Sequence, residues 1–162
     1  GRVAELSKAF GMRVVAYDPY VPHDKARALG VEKQETLEAV LAVSDFVSIH
    51  VALTPETRHL IGERTLQHVR KGACIINLSR GPVIDTNALV RALQSGQLAG
   101  AGLDVFEEEP LPQDSPLRSL PHVLLTPHVG ASTREAQDAA GLMVAEQVVK
   151  VLKGEKAEHR VV

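Results

Sequence analysis

The sequence contains little cysteine and little aromatic side chain: one Cys, no Trp and 3% aromatic residues in 162. Cys74 has no partner for an internal disulfide and lies in the apolar run 73–76, which predicts a buried thiol in a reducing compartment. No apolar stretch approaches the roughly 18 residues of a membrane span. Residues 1–20 also lack the order of a signal peptide. We therefore expect a cytoplasmic protein without a membrane partner.

The sequence also lacks an excess of charge of either sign. There are 18 basic and 20 acidic side chains, a formal net charge of −2. A nucleic-acid surface needs a concentrated basic face, and the Lys and Arg residues here are scattered, so no nucleic-acid partner is expected. The 44% hydrophobic content is enough to build a core, which excludes intrinsic disorder. A small molecule or another protein is the expected partner.

Short apolar runs alternate with segments of helical periodicity along the whole chain. The predicted strands cover 12–17, 45–50, 73–78, 101–106 and 122–126, and the predicted helices cover 3–10, 24–29, 36–43, 63–69, 85–93 and 132–153. Strands that are apolar throughout and alternate with helices indicate an α/β domain, a doubly wound parallel sheet covered on both faces. The first predicted helix has no N-cap residue, so we expect a piece of a larger protein.

Polar residues follow the predicted strands, at the carboxyl ends where sheets of this class bind ligands. These are Asp18, His50, Ser79 with Arg80, Asp104 with Glu109 after it, and His128. Each residue alone is weak evidence for a site, because Asp is common in turns and exposed Arg is common on surfaces. Their joint placement at successive strand ends favours a binding site.

The spacing of Asp18 suggests a nucleotide. It lies 17 residues after Gly1, close to the roughly 20 residues that separate a glycine-rich phosphate loop from the acid that binds the ribose of NAD. An acid at this position repels a 2′-phosphate, which favours NAD over NADP.

Arg80, His128 and the acidic run 107–109 are the residues that could act on a substrate. Gly81 allows a sharp turn beside Arg80. The Arg80 guanidinium could bind a carboxylate through two parallel hydrogen bonds, or it could form only a surface ion pair. A carboxylate near His128 would hold its ring and favour the protonated form. At least one of the three glutamates is expected to be only a solvated residue of a turn.

Two other chemistries lack their motifs. The histidines show no H-E-x-x-H arrangement and one cysteine cannot build a thiolate zinc site, so no metal is expected. A triad of Ser79, His128 and Asp104 would need a G-x-S-x-G elbow, which the residues around Ser79 do not form. Hydrolysis is therefore a poor fit.

Five motifs together resemble the NAD-binding domain of the D-isomer-specific 2-hydroxyacid dehydrogenases. They are Phe10-Gly-Met-Arg-Val with Tyr17-Asp-Pro19, Ser44 to His50 with Leu53 to Thr57, Asn77 to Asp85, Gly100 to Phe106 with Glu109-Pro110, and Thr126-Pro-His-Val-Gly130. The resemblance implies a Rossmann-type dinucleotide-binding domain over residues 1–162, with NAD as cofactor. It also implies that the glycine-rich loop and the substrate domain lie outside this sequence.

The resemblance also implies roles for single residues. Arg80 would hold the carboxylate and carbonyl of a hydroxy-acid or keto-acid substrate, His128 would be the acid/base, and Glu109 its partner. Asp18 would bind the adenosine ribose, and Asp104 would lie near the nicotinamide carboxamide. The full set expected to contact the cofactor is Asp18, Pro19, His50, Val51, Leu78, Ser79, Arg80, Asp104, His128 and Gly130.

Within the family, the segment 130–137 is most similar to the 3-phosphoglycerate dehydrogenases of serine biosynthesis. Two alternatives stay open: a glyoxylate or hydroxypyruvate reductase, and a non-enzymatic NAD(H)-binding corepressor of the C-terminal-binding-protein type. We also expect a homo-oligomer formed through this domain, because the family resemblance and the mostly apolar segments Leu98 to Leu103 and Leu120 to Leu125 favour one.

Overall fold

The computed structural model describes residues 1–158. Its helices are α1 (Arg2–Ala9), α2 (His23–Ala28), α3 (Leu37–Val43), α4 (Glu63–Leu66), α5 (Thr86–Gln94) and α6 (Arg134–Leu152). Its strands are β1 (Val15–Ala16), β2 (Glu32–Lys33), β3 (Phe46–Ile49), β4 (Ala73–Asn77), β5 (Leu98–Leu103) and β6 (Val123–Leu125). Two short 3₁₀ helices cover Gly81–Val83 and Pro116–Arg118.

Strands β3, β4, β5 and β6 form one parallel sheet in sequence order. Strands β1 and β2 form a separate parallel pair. The parallel α/β architecture expected from the sequence is therefore confirmed. Strand β2 was not predicted, because its two residues, Glu32 and Lys33, are too short and too polar to produce a hydrophobic pattern.

The core lies against one face of the four-stranded sheet. The strand register puts Val47, Ile75, Ala101 and Val123 in one row, and the first three of these are buried. Helix α4 packs against both α3 and α5, and α5 packs on β5. Burying these apolar side chains between sheet and helices is the main source of stability of this part of the chain.

The other face of the sheet is largely open among residues 1–158. Since side chains alternate between the faces of a strand, the neighbouring row contains Ser48, Ile76, Gly102 and Leu124. Leu124 is 70% exposed, and Phe46 on the same face is 56% exposed. The sequence predicted helices on both faces of the sheet, but within residues 1–158 only one face is fully covered.

Strand β5 corrects one part of the sequence analysis. The predicted strand 101–106 begins at Leu98, because Gly96 ends the preceding turn with a φ of 71° and the chain enters the sheet at once. Leu98, Ala101 and Leu103 are buried in the core. The large apolar side chains of the segment Leu98 to Leu103 therefore lie in the core, which leaves Ala99 as its exposed residue, and the homo-oligomer stays a prediction.

Helix α6 contributes no buried residue, although its second half is apolar. Within the described part of the chain, no helix combines the length and the hydropathy needed to cross a bilayer. Cys74 is a free thiol and is half-buried on β4, more accessible than the sequence suggested.

Candidate active site at the strand ends

The predicted site residues lie directly after the strands, as expected. His50 and Val51 follow β3, residues 78–80 follow β4, Asp104 follows β5, and residues 126–130 follow β6. Asp18 and Pro19 come shortly after β1. Because the carboxyl ends of parallel strands meet at one edge of a sheet, the residues after β3 to β6 share that edge.

Glu109 and His128 are in contact. His128 Nδ1 lies 2.7 Å from Glu109 Oε2, and Glu109 Oε1 accepts a hydrogen bond from the Phe106 N–H at 3.0 Å. The hydrogen bond to His128, followed by that to Phe106, holds the pKa of Glu109 below its usual value. His128 Nε2 has no hydrogen-bond partner within residues 1–158, and the His128 side chain is 51% exposed. The outer ring nitrogen is therefore open to a ligand.

Buried Asp104 holds the loop that carries His128. Its Oδ1 accepts hydrogen bonds from the Thr126 hydroxyl at 2.6 Å and the Val129 N–H at 2.9 Å. Its Oδ2 accepts one from the Gly130 N–H at 2.8 Å.

Desolvation raises the pKa of Asp104, but these donors outweigh it, so the pKa lies below the usual value. The carboxylate thus fixes the chain on both sides of His128. No local sequence pattern indicates this anchoring role, because the donors are more than 20 residues away. The expected contact of Asp104 with a nicotinamide carboxamide stays a prediction.

The Arg80 loop is fixed by buried Asn77. The Asn77 Nδ2 donates to the Arg80 carbonyl at 3.0 Å, and Asn77 Oδ1 accepts from both the N–H and the hydroxyl of Ser79. The Arg80 guanidinium donates to the Ser79 carbonyl at 2.7 Å. Among residues 1–158 it makes no hydrogen bond to Glu109 or His128. The structure therefore joins two members of the predicted trio and leaves the third side chain free to turn toward a ligand.

Asp18 and His50 lie where a nucleotide is expected. Asp18 Oδ1 accepts hydrogen bonds from the N–H groups of Tyr20 and Val21 at 2.8 and 3.2 Å, and within the described part of the chain Oδ2 has no hydrogen-bond donor. His50 Nε2 lies 2.9 Å from the Ser48 hydroxyl. Burial lowers the pKa of His50.

The remaining cofactor candidates differ in exposure. Leu78 is more than half exposed, while Val51 packs against the core. The Gly130 N–H is already bound to Asp104. No cluster of His, Cys, Asp or Glu in the described residues is arranged to hold a metal ion.

A second histidine–glutamate pair was not predicted. His59 Nε2 lies 2.6 Å from Glu107 Oε1, and Glu107 Oε2 accepts a hydrogen bond from the Thr86 N–H at 2.8 Å. Desolvation raises the pKa of Glu107, but the hydrogen bonds to Thr86 and His59 outweigh it. The pKa of Glu107 therefore lies below its usual value. Glu108 has no hydrogen-bond or ion-pair partner among residues 1–158, so it is the solvated member of the acidic run.

Comparison with known proteins supplies the family. The model of the family "D-isomer specific 2-hydroxyacid dehydrogenase, NAD binding domain" matches residues 1–130. The chain belongs to this family. NAD is accordingly the cofactor of the domain.

Members of the family with different names are similar to this chain. A D-3-phosphoglycerate dehydrogenase of Methanocaldococcus jannaschii is 50% identical over 98% of the chain, and a glyoxylate reductase of Korarchaeum cryptofilum is 47% identical over 94%. The crystal structure of D-lactate dehydrogenase with NAD+ from Lactobacillus jensenii has a TM-score of 0.87 and 27% identity over 99% of the chain. This chain spans 30%, 46% and 52% of those three proteins, respectively.

The residues of this 2-hydroxyacid dehydrogenase domain fit NAD. The free Asp18 oxygen can accept hydrogen bonds from ribose hydroxyls. His50 and Val51 provide backbone at the same edge of the sheet, and the open Nε2 of His128 lies on the loop after β6. Asp18, His50 and Val51 would hold the cofactor, and His128 would face the reacting end.

Proposed function

We propose that the protein carrying this domain is an NAD-dependent D-2-hydroxyacid dehydrogenase that oxidises 3-phosphoglycerate in serine biosynthesis. The observation that carries the proposal is the 2.7 Å contact of His128 Nδ1 with Glu109, which leaves Nε2 open at the strand ends, where open α/β sheets bind their ligands. Residues 1–162 would be its NAD-binding domain. The substrate domain would come from the remainder of the longer protein.

His128 would move the proton of the substrate hydroxyl. NAD, held by Asp18, His50 and Val51, would supply the acceptor for the hydride that leaves C2 of the hydroxy acid. His128 Nε2 takes the hydroxyl proton while Nδ1 keeps its hydrogen bond to Glu109, and the Glu109 carboxylate stabilises the imidazolium that forms. In the direction of reduction, the same proton returns from Nε2 to the carbonyl oxygen.

Arg80 would bind the substrate carboxylate. Its guanidinium is exposed and, among residues 1–158, is held only by the Ser79 carbonyl, an interaction that a carboxylate can replace at small cost. The planar guanidinium can donate two parallel hydrogen bonds to one carboxylate, which a lysine could not do. The backbone of Arg80, fixed by Asn77, would keep the guanidinium at the end of β4.

The relatives support two substrates for this chemistry. The relative at 50% identity is named a phosphoglycerate dehydrogenase, and the one at 47% is named a glyoxylate reductase. Glyoxylate, or hydroxypyruvate, is therefore the second candidate substrate.

We also propose that the protein works in the cytoplasm as a homo-oligomer. Phe46 and Leu124 lie on the two outer strands of the sheet, exposed on its open face, and exposed large apolar side chains favour a partner surface.

Steady-state kinetics of the full-length protein test the function. With NADH, the value of kcat/KM should be highest for 3-phosphohydroxypyruvate, and a ranking led by glyoxylate or hydroxypyruvate would support the second candidate. NADPH should be the poorer cofactor because Asp18 would face its 2′-phosphate, and Asp18→Ala should narrow that difference. Reduction of none of these keto acids would overturn the proposal.

A further inference from the structure

The chain just after Arg80 lies beside a second segment. The His59 N–H donates to the Pro82 carbonyl at 2.8 Å, and Ile61 and Ile84 form an isolated parallel bridge. That bridge is closed by hydrogen bonds from the Ile61 N–H to the Val83 carbonyl and from the Asp85 N–H to the Ile61 carbonyl, at 3.1 and 2.9 Å. Residues 59–61 therefore fix one side of segment 81–85.

The other side of segment 81–85 touches the loop after β5. A Cβ placed on Gly81 would lie 1.8 Å from the Phe106 carbonyl oxygen, so only glycine allows the two backbones to meet here. The Phe106 N–H holds Glu109. Phe106 therefore links the Arg80 loop to the Glu109–His128 pair.

His59 and Glu107 close a ring around segment 81–85. His59 belongs to the segment on one side, and Glu107 follows Phe106 on the other. Their 2.6 Å contact joins the two sides, and the second Glu107 oxygen accepts the N–H of Thr86, the first residue of α5. An isolated surface ion pair contributes little, but here both carboxylate oxygens are used and the Glu107 side chain is only 28% exposed.

We propose that His59 and Glu107 are positioning residues that set the place of Arg80 relative to the Glu109–His128 pair. This inference rests on the proposed function. Neither side chain has to touch the substrate, because the effect passes through the backbone of residues 81–85 and Phe106. Their loss should therefore weaken the binding of the substrate carboxylate more than it slows proton transfer or weakens cofactor binding.

The test uses His59→Gln, Glu107→Gln and the double variant in the full-length enzyme. Each single variant should raise KM for the keto acid about 5- to 30-fold, with kcat reduced less than about 3-fold and KM for NADH within about 2-fold. The double variant should be no worse than the more impaired single variant, because both substitutions break one contact. Hydrogen exchange of the Ile61 and Asp85 amides should become faster in all three.

Thr86→Pro is an independent variant that keeps the side chains of the pair. Proline is accepted at the first residue of a helix, and Asp85 already has the extended backbone that precedes proline. It removes the Thr86 N–H that Glu107 binds together with the Thr86 hydroxyl, so KM for the keto acid should rise about 2- to 5-fold. The exposed pair of His23 and Glu35, 2.8 Å apart, is the matched control, and its two glutamine variants should leave all parameters within about 2-fold.

The outcomes separate this inference from the proposed function. An active parent enzyme whose variants at His59 and Glu107 keep the parental KM for the keto acid would overturn the inference alone. So would a parallel loss of kcat, NADH affinity and thermal stability, since that is the signature of a purely structural role. A parent enzyme that reduces no keto acid would overturn the proposed function and this inference together.

Discussion

Two histidine–glutamate pairs lie in neighbouring loops of this domain and are built alike. In each, one glutamate oxygen meets a histidine ring nitrogen within 2.7 Å and the other accepts a backbone N–H: that of Phe106 for Glu109, and that of Thr86 for Glu107. Both histidines have a positive φ, 55° for His128 and 52° for His59. Neither the contact nor the backbone conformation distinguishes the two pairs.

The pairs differ in which ring nitrogen is used. Glu109 binds His128 at Nδ1, the nitrogen nearer its own backbone, so the outer Nε2 is open. Glu107 binds His59 at Nε2, so the outer nitrogen is already occupied. A general acid/base needs its free nitrogen within hydrogen-bond reach of the substrate. The orientation of the ring thus separates a pair that can exchange protons with a ligand from one that holds two loops together.

Removing the imidazole of each pair in turn should give the largest difference between the pairs, measured as the loss of kcat. In the full-length enzyme, His128→Ala should lower kcat by a factor on the order of 10² to 10⁴, the usual effect of losing a general acid/base, with little change in NADH affinity. His59→Ala should lower kcat less than about 10-fold, because its imidazole transfers no proton. Steady-state kinetics of the two variants side by side measure the difference, and equal losses of kcat would contradict the distinction.

Loss of Asp104 should reduce the free energy of unfolding more than loss of the Glu107 charge. Asp104→Ala leaves the Thr126 hydroxyl and the N–H groups of Val129 and Gly130 without their buried acceptor, so the free energy of unfolding should fall by about 2–4 kcal/mol. Glu107→Gln keeps an acceptor for Thr86 and should cost less than about 1 kcal/mol. Urea unfolding of both variants provides the comparison. A loss for Asp104→Ala no larger than that for Glu107→Gln would show that Asp104 is not the anchor.

The carboxylates should also affect turnover differently. Because the Glu109 carboxylate stabilises the imidazolium that forms on His128, Glu109→Gln should lower kcat for hydroxy-acid oxidation by about 10-fold or more. Glu107→Gln should leave kcat within about 3-fold, because His59 does not take the substrate proton. Steady-state kinetics of the two variants test this, and an unchanged kcat for Glu109→Gln would exclude it as the partner of the base.

At acid pH the two pairs should behave alike. Glu109, Glu107 and Asp104 all have a lowered pKa in the folded protein. Their contribution to stability is therefore present above the unfolded values of about 4 and is lost as the pH falls through the folded values. Thermal unfolding should show a falling Tm below about pH 4.5, with a shallower fall in Glu109→Gln and in Glu107→Gln. A slope unchanged in both variants would argue against the linkage.

The sequence predicted the strand ends well because each strand is a short apolar run followed by a polar residue. Strand β5 is the exception: the predicted strand 101–106 began and ended three residues late and included Asp104, which lies directly after Leu103 in the structure. The sequence could not predict that Asp104 binds residues on both sides of His128, or that His59 meets Glu107. Those contacts join residues 22 to 48 positions apart, and nothing in the local pattern brings them together. Only the folded sheet does so.

Isotope transfer tests the central claim, that this sheet edge supports hydride transfer with His128 as the base. The full-length enzyme is given NAD and 3-phosphoglycerate carrying deuterium at C2, and the reduced cofactor is analysed by mass spectrometry in a single turnover. The account predicts one deuterium in the reduced cofactor, delivered at least about 100-fold more slowly by His128→Ala. Loss of the label to solvent, or transfer by His128→Ala at the parental rate, would contradict it.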